Sequence, residues 1–176
     1  GGKADLRGGG TSSARLTAPI VAAAAIISPI IEKLNIKVNA HVSSIGNVKA
    51  KPIASCPEKW QSQECQQIRC QDYDSAIAMI ELVESHRKSL DSIGSEVELQ
   101  ISGMPIGIGE PWFDGIEPYL ARAMMSIPAA RGVEFGNGFS VVEMKGSDHN
   151  SPWGGDKNNP VMLGEKPDGA LAGLST

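Results

Sequence analysis

Apolar residues occupy the first long segment of the chain on every side. Residues 16–31 carry no charge, and Ile20, Ala23, Ala24, Ile27 and Ile31 recur at helical spacing. That period predicts a helix over residues 14–34, and apolar residues on its other faces predict burial nearly all round. Ser12 or Ser13 stands where a hydroxyl caps the helix by accepting from a free backbone N–H. Pro19 cannot donate to the carbonyl of Arg15, which predicts a bend or a helix start close to it. The run falls short of the roughly 20 apolar residues that a bilayer crossing takes and contains Pro19 and Pro29, so it reads as a core helix.

The period then changes. Ile36, Val38, Ala40 and Val42 alternate with Lys37, Asn39 and His41, the pattern of a half-buried strand with His41 on its outer face. Residues 46–73 are polar and read as a long excursion. Asp72 or Asp74 then caps a second helix, with Ala76, Ile77, Ile80, Val83 and Leu90 in one stripe and Glu84, His86, Arg87 and Lys88 outside it. After Gly94 a second alternation sets Val97, Leu99 and Ile101 inward and Glu96, Glu98 and Gln100 outward. Asp114 and Glu117 have capping-box spacing and open a third helix through Leu120, Ala121, Met124 and Ile127. Residues 133–144 read as a strand or hairpin. Residues 146–168, rich in Gly, Pro and Asn, read as a surface loop. One-sided alternation argues against parallel strands covered on both faces, which read as continuous apolar runs. The predicted class is α+β: antiparallel sheets with one face on the long apolar helix.

Composition narrows the partners. At 176 residues the chain suits one domain with a real core, and with 5% aromatic residues that core rests on Ile, Leu, Val, Ala and Met. A formal net charge of −4 and the lack of a basic tract argue against nucleic acid, but leave room for a local basic pocket that takes a small anion. Cys56, Cys65 and Cys70 match no zinc template, and an odd count with no secretory signal fits simple thiols in a reducing cytoplasm. The chain opens without an initiator Met and stops directly after a glycine-containing apolar turn, so both ends read as cut.

The candidate chemistry gathers at one place. Gly8-Gly9-Gly10-Thr11-Ser12-Ser13 runs into a helix start, where free N–H groups and the helix dipole favour an anion. No Lys follows the last glycine, so this is not a Walker loop. Arg15 lies on the first turn, an unfavourable place for a cation unless an anion answers it. A planar guanidinium offers paired hydrogen bonds to carboxylate or phosphate. His149 sits in a polar loop sequence and, with His41 and His86 on outer faces, reads as solvated rather than catalytic.

Gly10-Thr11-Ser12-Ser13-Ala14-Arg15-Leu16-Thr17, with Val21, Ala24, Ala25 and Ile26 in register, resembles the central signature of the chorismate synthase family. Further blocks resemble the same family in the same order. They are Cys70-Gln71-Asp72, Asp91-Ser92-Ile93-Gly94, Gly109-Glu110-Pro111-Trp112-Phe113-Asp114, Ala123 through Phe139, and Asp168-Gly169-Ala170-Leu171-Ala172-Gly173-Leu174-Ser175. The resemblance covers essentially the whole chain.

It implies a layered β-α-β sandwich with helices between antiparallel sheets, a homotetramer and reduced FMN as cofactor. The implied reaction is 1,4-anti elimination of phosphate from 5-enolpyruvylshikimate 3-phosphate to give chorismate, within aromatic amino-acid biosynthesis. Whether the flavin is reduced by an NADPH-dependent activity of the protein itself or externally stays open. By position, Thr11, Ser12, Ser13, Pro128, Ala129 and Ala172 match flavin contacts, and Ser13, Ala14 and Arg15 match substrate contacts. Relatives often carry a basic residue in place of Thr11, Asn in place of Pro128 and Gly in place of Ala172. The family's two catalytic histidine blocks and its Lys-Pro-Thr-Ser-Ser-like flavin loop do not occur in this chain, so the piece by itself is expected to be inactive. A non-catalytic flavin- or anion-binding module of the same fold is the competing reading.

Overall fold

The structure is a computed structural model that describes residues 13–57, 60–105, 108–150, 152–157 and 159–163. Along the chain come α1 (Thr17–Lys33), β1 (Lys37–Ile45), β2 (Val48–Lys49), α2 (Gln63–Ile68), α3 (Tyr73–Lys88), β3 (Ser95–Ser102), α4 (Ile116–Met125), α5 (Gly146–His149), β4 (Trp153–Asp156) and β5 (Asn159–Met162). Two compact units form, residues 28–104 and residues 1–27 with 105–176. The result is the predicted α+β mixture of helices and antiparallel sheet.

In the unit of residues 28–104, β1 pairs antiparallel with β3 from Lys37↔Ser102 to Ile45↔Ser95, and with β2 through Ile45↔Val48. Both alternating segments are therefore strands of one antiparallel sheet, in the order β2-β1-β3. Gly46, at φ 55°, supplies the left-handed conformer that the two-residue hairpin loop requires. A bulge between Val42 and Ser44 shifts the register, so that His41 pairs with Glu98 and Ser44 with Glu96.

The core of this unit is small. Ile45, Cys65, Cys70, Ala76 and Met79 form one buried cluster, flanked by Val42, Val48, Trp60, Leu82 and Ile93. The polar excursion of residues 46–73 is thus no open loop, since it delivers Ile53 and Cys65 to the interior. All three cysteines are free thiols.

Three helices here end in the same way, and each end has a readable cause. After α1, Ile36 N–H bonds Ile31 O at 3.2 Å and Asn35 N–H bonds Glu32 O at 2.9 Å, with Asn35 at φ 61°. This is a Schellman motif, which needs a left-handed residue just past the helix. Arg69 does the same after α2, where Cys70 N–H reaches Cys65 O. Leu90, at φ 59°, does so after α3. Leu90 consequently leaves the apolar stripe assigned to it and stands 96% exposed, a correction caused by the helix stopping at Lys88.

Several other expectations are overturned. The 14–34 segment is a helix, but α1 has no buried residue, and Ile20, Val21, Ile26 and Ile30 are each well over half exposed. The uncharged run 16–31 extends into a helical stretch of 20 residues, Ala14–Lys33, long and apolar enough to cross a membrane by length and composition only, a test that the core helix of a soluble protein also passes. Within the sheet the expected faces hold only in part: Val42 packs on the core and Ile101 is half-buried, with Glu96 and Gln100 exposed, but elsewhere the order is reversed. Val38 and Val97 are exposed, whereas His41 is 1% exposed and Glu98 is half-buried. The polar residues are covered because the 46–73 excursion folds back onto them and satisfies them with hydrogen bonds.

In the other unit Ser13 caps a single 3-10 turn (Ala14–Leu16), its Oγ accepting from Arg15 N–H at 3.2 Å, and α1 follows directly. Pro19 falls in the first turn of α1, where its missing N–H costs nothing. The helix α4 starts after Gly115, not with a box between Asp114 and Glu117. Asp114 instead accepts from the Tyr119 hydroxyl at 3.2 Å. Residues 133–144 contain a 3-10 stretch (Gly138–Glu143) and no strand among the described residues. Within 146–168 lie α5 and an antiparallel hairpin of β4 and β5.

Candidate functional site

The sequence signals that point to anion chemistry converge on the start of α1. Ser13 Oγ occupies the cap, and its own O–H remains available as a donor. Arg15 is exposed, and its guanidinium makes no hydrogen bond or ion pair to any described residue. A cation at a capped helix start is electrostatically uncomfortable, and an anion relieves it. Ala14, between the two, contributes backbone: its carbonyl accepts from Thr17 Oγ1 at 2.7 Å.

Pro128 and Ala129 follow α4 in the same compact unit, on an exposed turn. Ala129 is at φ 70°, in the left-handed region. A non-glycine residue there is uncommon and, for alanine, costs roughly 1–2 kcal/mol, so the turn holds its backbone in a specific presentation. No hydrogen bond or ion pair joins this turn to Arg15 among the described residues. Thr11, Ser12 and Ala172 lie outside the described residues.

A second polar constellation, in the unit of residues 28–104, was missed by the sequence reading. His41 Nε2 lies 3.2 Å from Glu98 Oε2, and that oxygen also accepts from Ile53 N–H at 2.9 Å. Gln71 N–H donates to His41 Nδ1 at 3.3 Å, and the Gln71 and Asn39 side-chain amides bond each other, at 2.9 Å for Gln71 Nε2 to Asn39 Oδ1. Ser44 Oγ donates to Glu96 Oε2 at 2.7 Å. The available signal was the polar face of two paired strands, Asn39 and His41 beside Glu96 and Glu98, next to 28 residues of polar chain in need of a surface.

Asp72 anchors the edge of this network at 8% exposure. Its Oδ2 accepts from Ser75 Oγ at 2.8 Å and Lys51 N–H at 3.2 Å, and Lys51 Nζ lies 3.5 Å from Oδ1. Burial pushes this carboxyl up, but the hydrogen bonds from Ser75 and Lys51, with the Lys51 charge, outweigh it and leave the group below its ordinary value. A depressed folded-state pKa stabilises above the unfolded value, about pH 4, and that stability is lost as pH falls through the folded value. Asp72→Asn should therefore cost about 1–3 kcal/mol at neutral pH, with the gap to the parent narrowing below about pH 4. Urea unfolding at a series of pH values checks this, and a constant gap across the series rejects it.

A cleft of about 360 Å³ opens beside Asp72, lined among others by Lys51, Cys56, Gln61, Gln71 and Tyr73. Burial and then the Asp72 charge push the Cys56 thiol up, so it is a poor nucleophile at neutral pH. Burial likewise raises Cys70.

Fold and site together define an α+β protein with an exposed arginine at a capped helix start. Residues 2–176 match the family model described as chorismate synthase. The chain belongs to the chorismate synthase family. It is 38% identical over 172 residues to the chorismate synthase of Methanosarcina acetivorans, covering 98% of this chain and 47% of that protein. Against the chorismate synthase of Cytophaga hutchinsonii it is 41% identical over 172 residues, covering 96% and 47%. A crystal structure of chorismate synthase superposes with a TM-score of 0.73 at 26% identity, over 85% of this chain and 48% of that one. The chain spans about half the length of the curated relatives it matches.

Proposed function

We propose that the whole protein to which these residues belong catalyses the 1,4-anti elimination of phosphate from 5-enolpyruvylshikimate 3-phosphate, giving chorismate. The observation that carries this reading is the family match across residues 2–176, with an exposed Arg15, unpaired among the described residues, at the matched signature. Arg15 binds a carboxylate or phosphate of the substrate through its planar fork, and Ser13 and Ala14 flank it. Ser13, with Thr11 and Ser12, would hold the polar part of reduced FMN, and Pro128, Ala129 and Ala172 would line its site.

The residues present fit such a group. Ser13 Oγ donates to no partner among the described residues, and the left-handed turn at Ala129 is exposed. Reduced FMN, when bound, lends electron density transiently with no net redox change. Departure of phosphate leaves negative charge that the Arg15 guanidinium would stabilise. Proton-moving histidines are not part of this chain's contribution, since the family's histidine blocks do not occur in it. A cytoplasmic homotetramer is part of the same reading.

The test is an anaerobic assay with reduced FMN and 5-enolpyruvylshikimate 3-phosphate, following chorismate by absorbance. The whole protein should turn over and residues 1–176 alone should not. A whole protein that binds flavin without making chorismate would replace this reading with the non-catalytic module. Turnover by residues 1–176 alone would place the active centre entirely within them.

A further inference from the structure

Apart from the proposed reaction, the unit of residues 28–104 holds a buried titratable side chain that elimination does not use. His41 is 1% exposed, and both of its ring nitrogens are engaged. Nδ1 faces the Gln71 N–H at 3.3 Å. A backbone N–H only donates, so Nδ1 carries no proton and the ring hydrogen lies on Nε2, donating to Glu98. One neutral imidazole thereby ties β1 to β3 and to residues 69–72.

We propose that His41 is a proton-operated clasp: neutral, it holds residues 70–72 against β1, and protonated at Nδ1, it releases them. Imidazole is the side chain that ordinarily changes charge between about pH 5 and 8. A proton added at Nδ1 sets two N–H groups face to face, and Gln71 N–H loses its acceptor. The bond to Glu98 survives, because protonation turns it into an ion pair. Gln71 is 2% exposed, and a buried N–H without a partner is costly enough that the segment must move to find water.

The surroundings favour a local opening rather than collapse. Val42 N–H still holds Arg69 O at 2.7 Å on one side, and Asp72 is fixed by Ser75 and Lys51 on the other. Of the charged and titratable groups on the elements packed against His41, Glu98 faces the ring from β3, which also carries Glu96; Arg69, Cys70 and Asp72 belong to the clasped segment, Lys51 and Cys56 to the stretch before α2, and Cys65 to α2. Lys51 is already committed to Asp72, and α3 contributes the uncharged Ala76 and Met79 to this core. Opening exposes Cys70, which is 0% exposed when the clasp is shut.

Hydrogen exchange read by mass spectrometry tests this on the whole protein. The imidazole C2 hydrogen of His41 reports its charge, and the peptide spanning residues 69–72 reports opening, corrected for intrinsic amide rates. Opening should rise about tenfold from about pH 8 to about pH 5, with the midpoint of the His41 titration. His41→Asn keeps an acceptor near the Nδ1 position and does not titrate, so it should abolish the step. His41→Gln lacks that acceptor and should be open at both pH values. The proposal is overturned if the parent shows no step, if His41 keeps one charge across the range, or if the step persists in His41→Asn. The parent measurement decides alone should either variant fail to fold.

Discussion

Alanine at position 15 should weaken binding of 5-enolpyruvylshikimate 3-phosphate to the whole protein about ten- to a hundredfold, while leaving its folding intact. The magnitude is that of a charge-assisted hydrogen bond, on the order of 1.5–3 kcal/mol. Two observations make the effect separable from stability. Arg15 is exposed, and its guanidinium makes no hydrogen bond or ion pair with any described residue, so its removal breaks none of those described. It also sits beside a helix start, where loss of a cation is neutral or mildly stabilising. Arg15→Lys keeps the charge without the planar fork and should fall between the two. Fluorescence titration with oxidised flavin present measures the affinity, and urea unfolding supplies the control. Equal affinity in the alanine variant and the parent would remove Arg15 from the site.

Gly103→Ala should be the most destabilising single-methyl change in the unit of residues 28–104, at about 3–4 kcal/mol. Gly103 follows β3 at φ 76°, a conformation that costs an alanine roughly 1–2 kcal/mol. A methyl there would also overlap the carbonyl oxygen of Asn35, the left-handed residue that ends α1. That oxygen belongs to the backbone, held by the two hydrogen bonds of its Schellman motif, so relief means moving the α1–β1 turn. Overpacking of this kind typically adds about 1–3 kcal/mol. Gly94→Ala is the matched control. Nothing lies within 4 Å of its would-be methyl. Its unfolding free energy should change by less than about 0.5 kcal/mol. Similar losses at the two positions would mean that close packing at Asn35 does not govern the cost.

The local elements were legible because their causes are local. Helical spacing over residues 14–34 and one-sided alternation in two segments are properties of the chain itself, and α1, β1 and β3 follow them in type. Antiparallel pairing was also readable, since alternation requires one wet face. Ser13 caps where a serine ahead of an apolar run predicts it. The glycine loop and Arg15 were singled out through a string of residues in order, a signal that does not depend on the fold.

What the tertiary structure decided is which face of each element is covered. Alternation shows that β1 has two unlike faces, but not which one meets protein. The polar excursion of residues 46–73 covers His41 and Glu98, because hydrogen bonding to a polar strand face satisfies backbone N–H groups such as those of Ile53 and Gln71. The bulge after Val42, which brings His41 and Ser44 both opposite glutamates, leaves no mark in hydrophobic periodicity. Left-handed helix ends at Arg69 and Leu90 also escape prediction, since neither residue type favours that conformation and only the surrounding hydrogen bonds impose it. The all-round apolar character of α1 belongs to the sequence alone. The partners that would cover it are a tertiary matter, because burial depends on what packs against a helix and not on the helix itself.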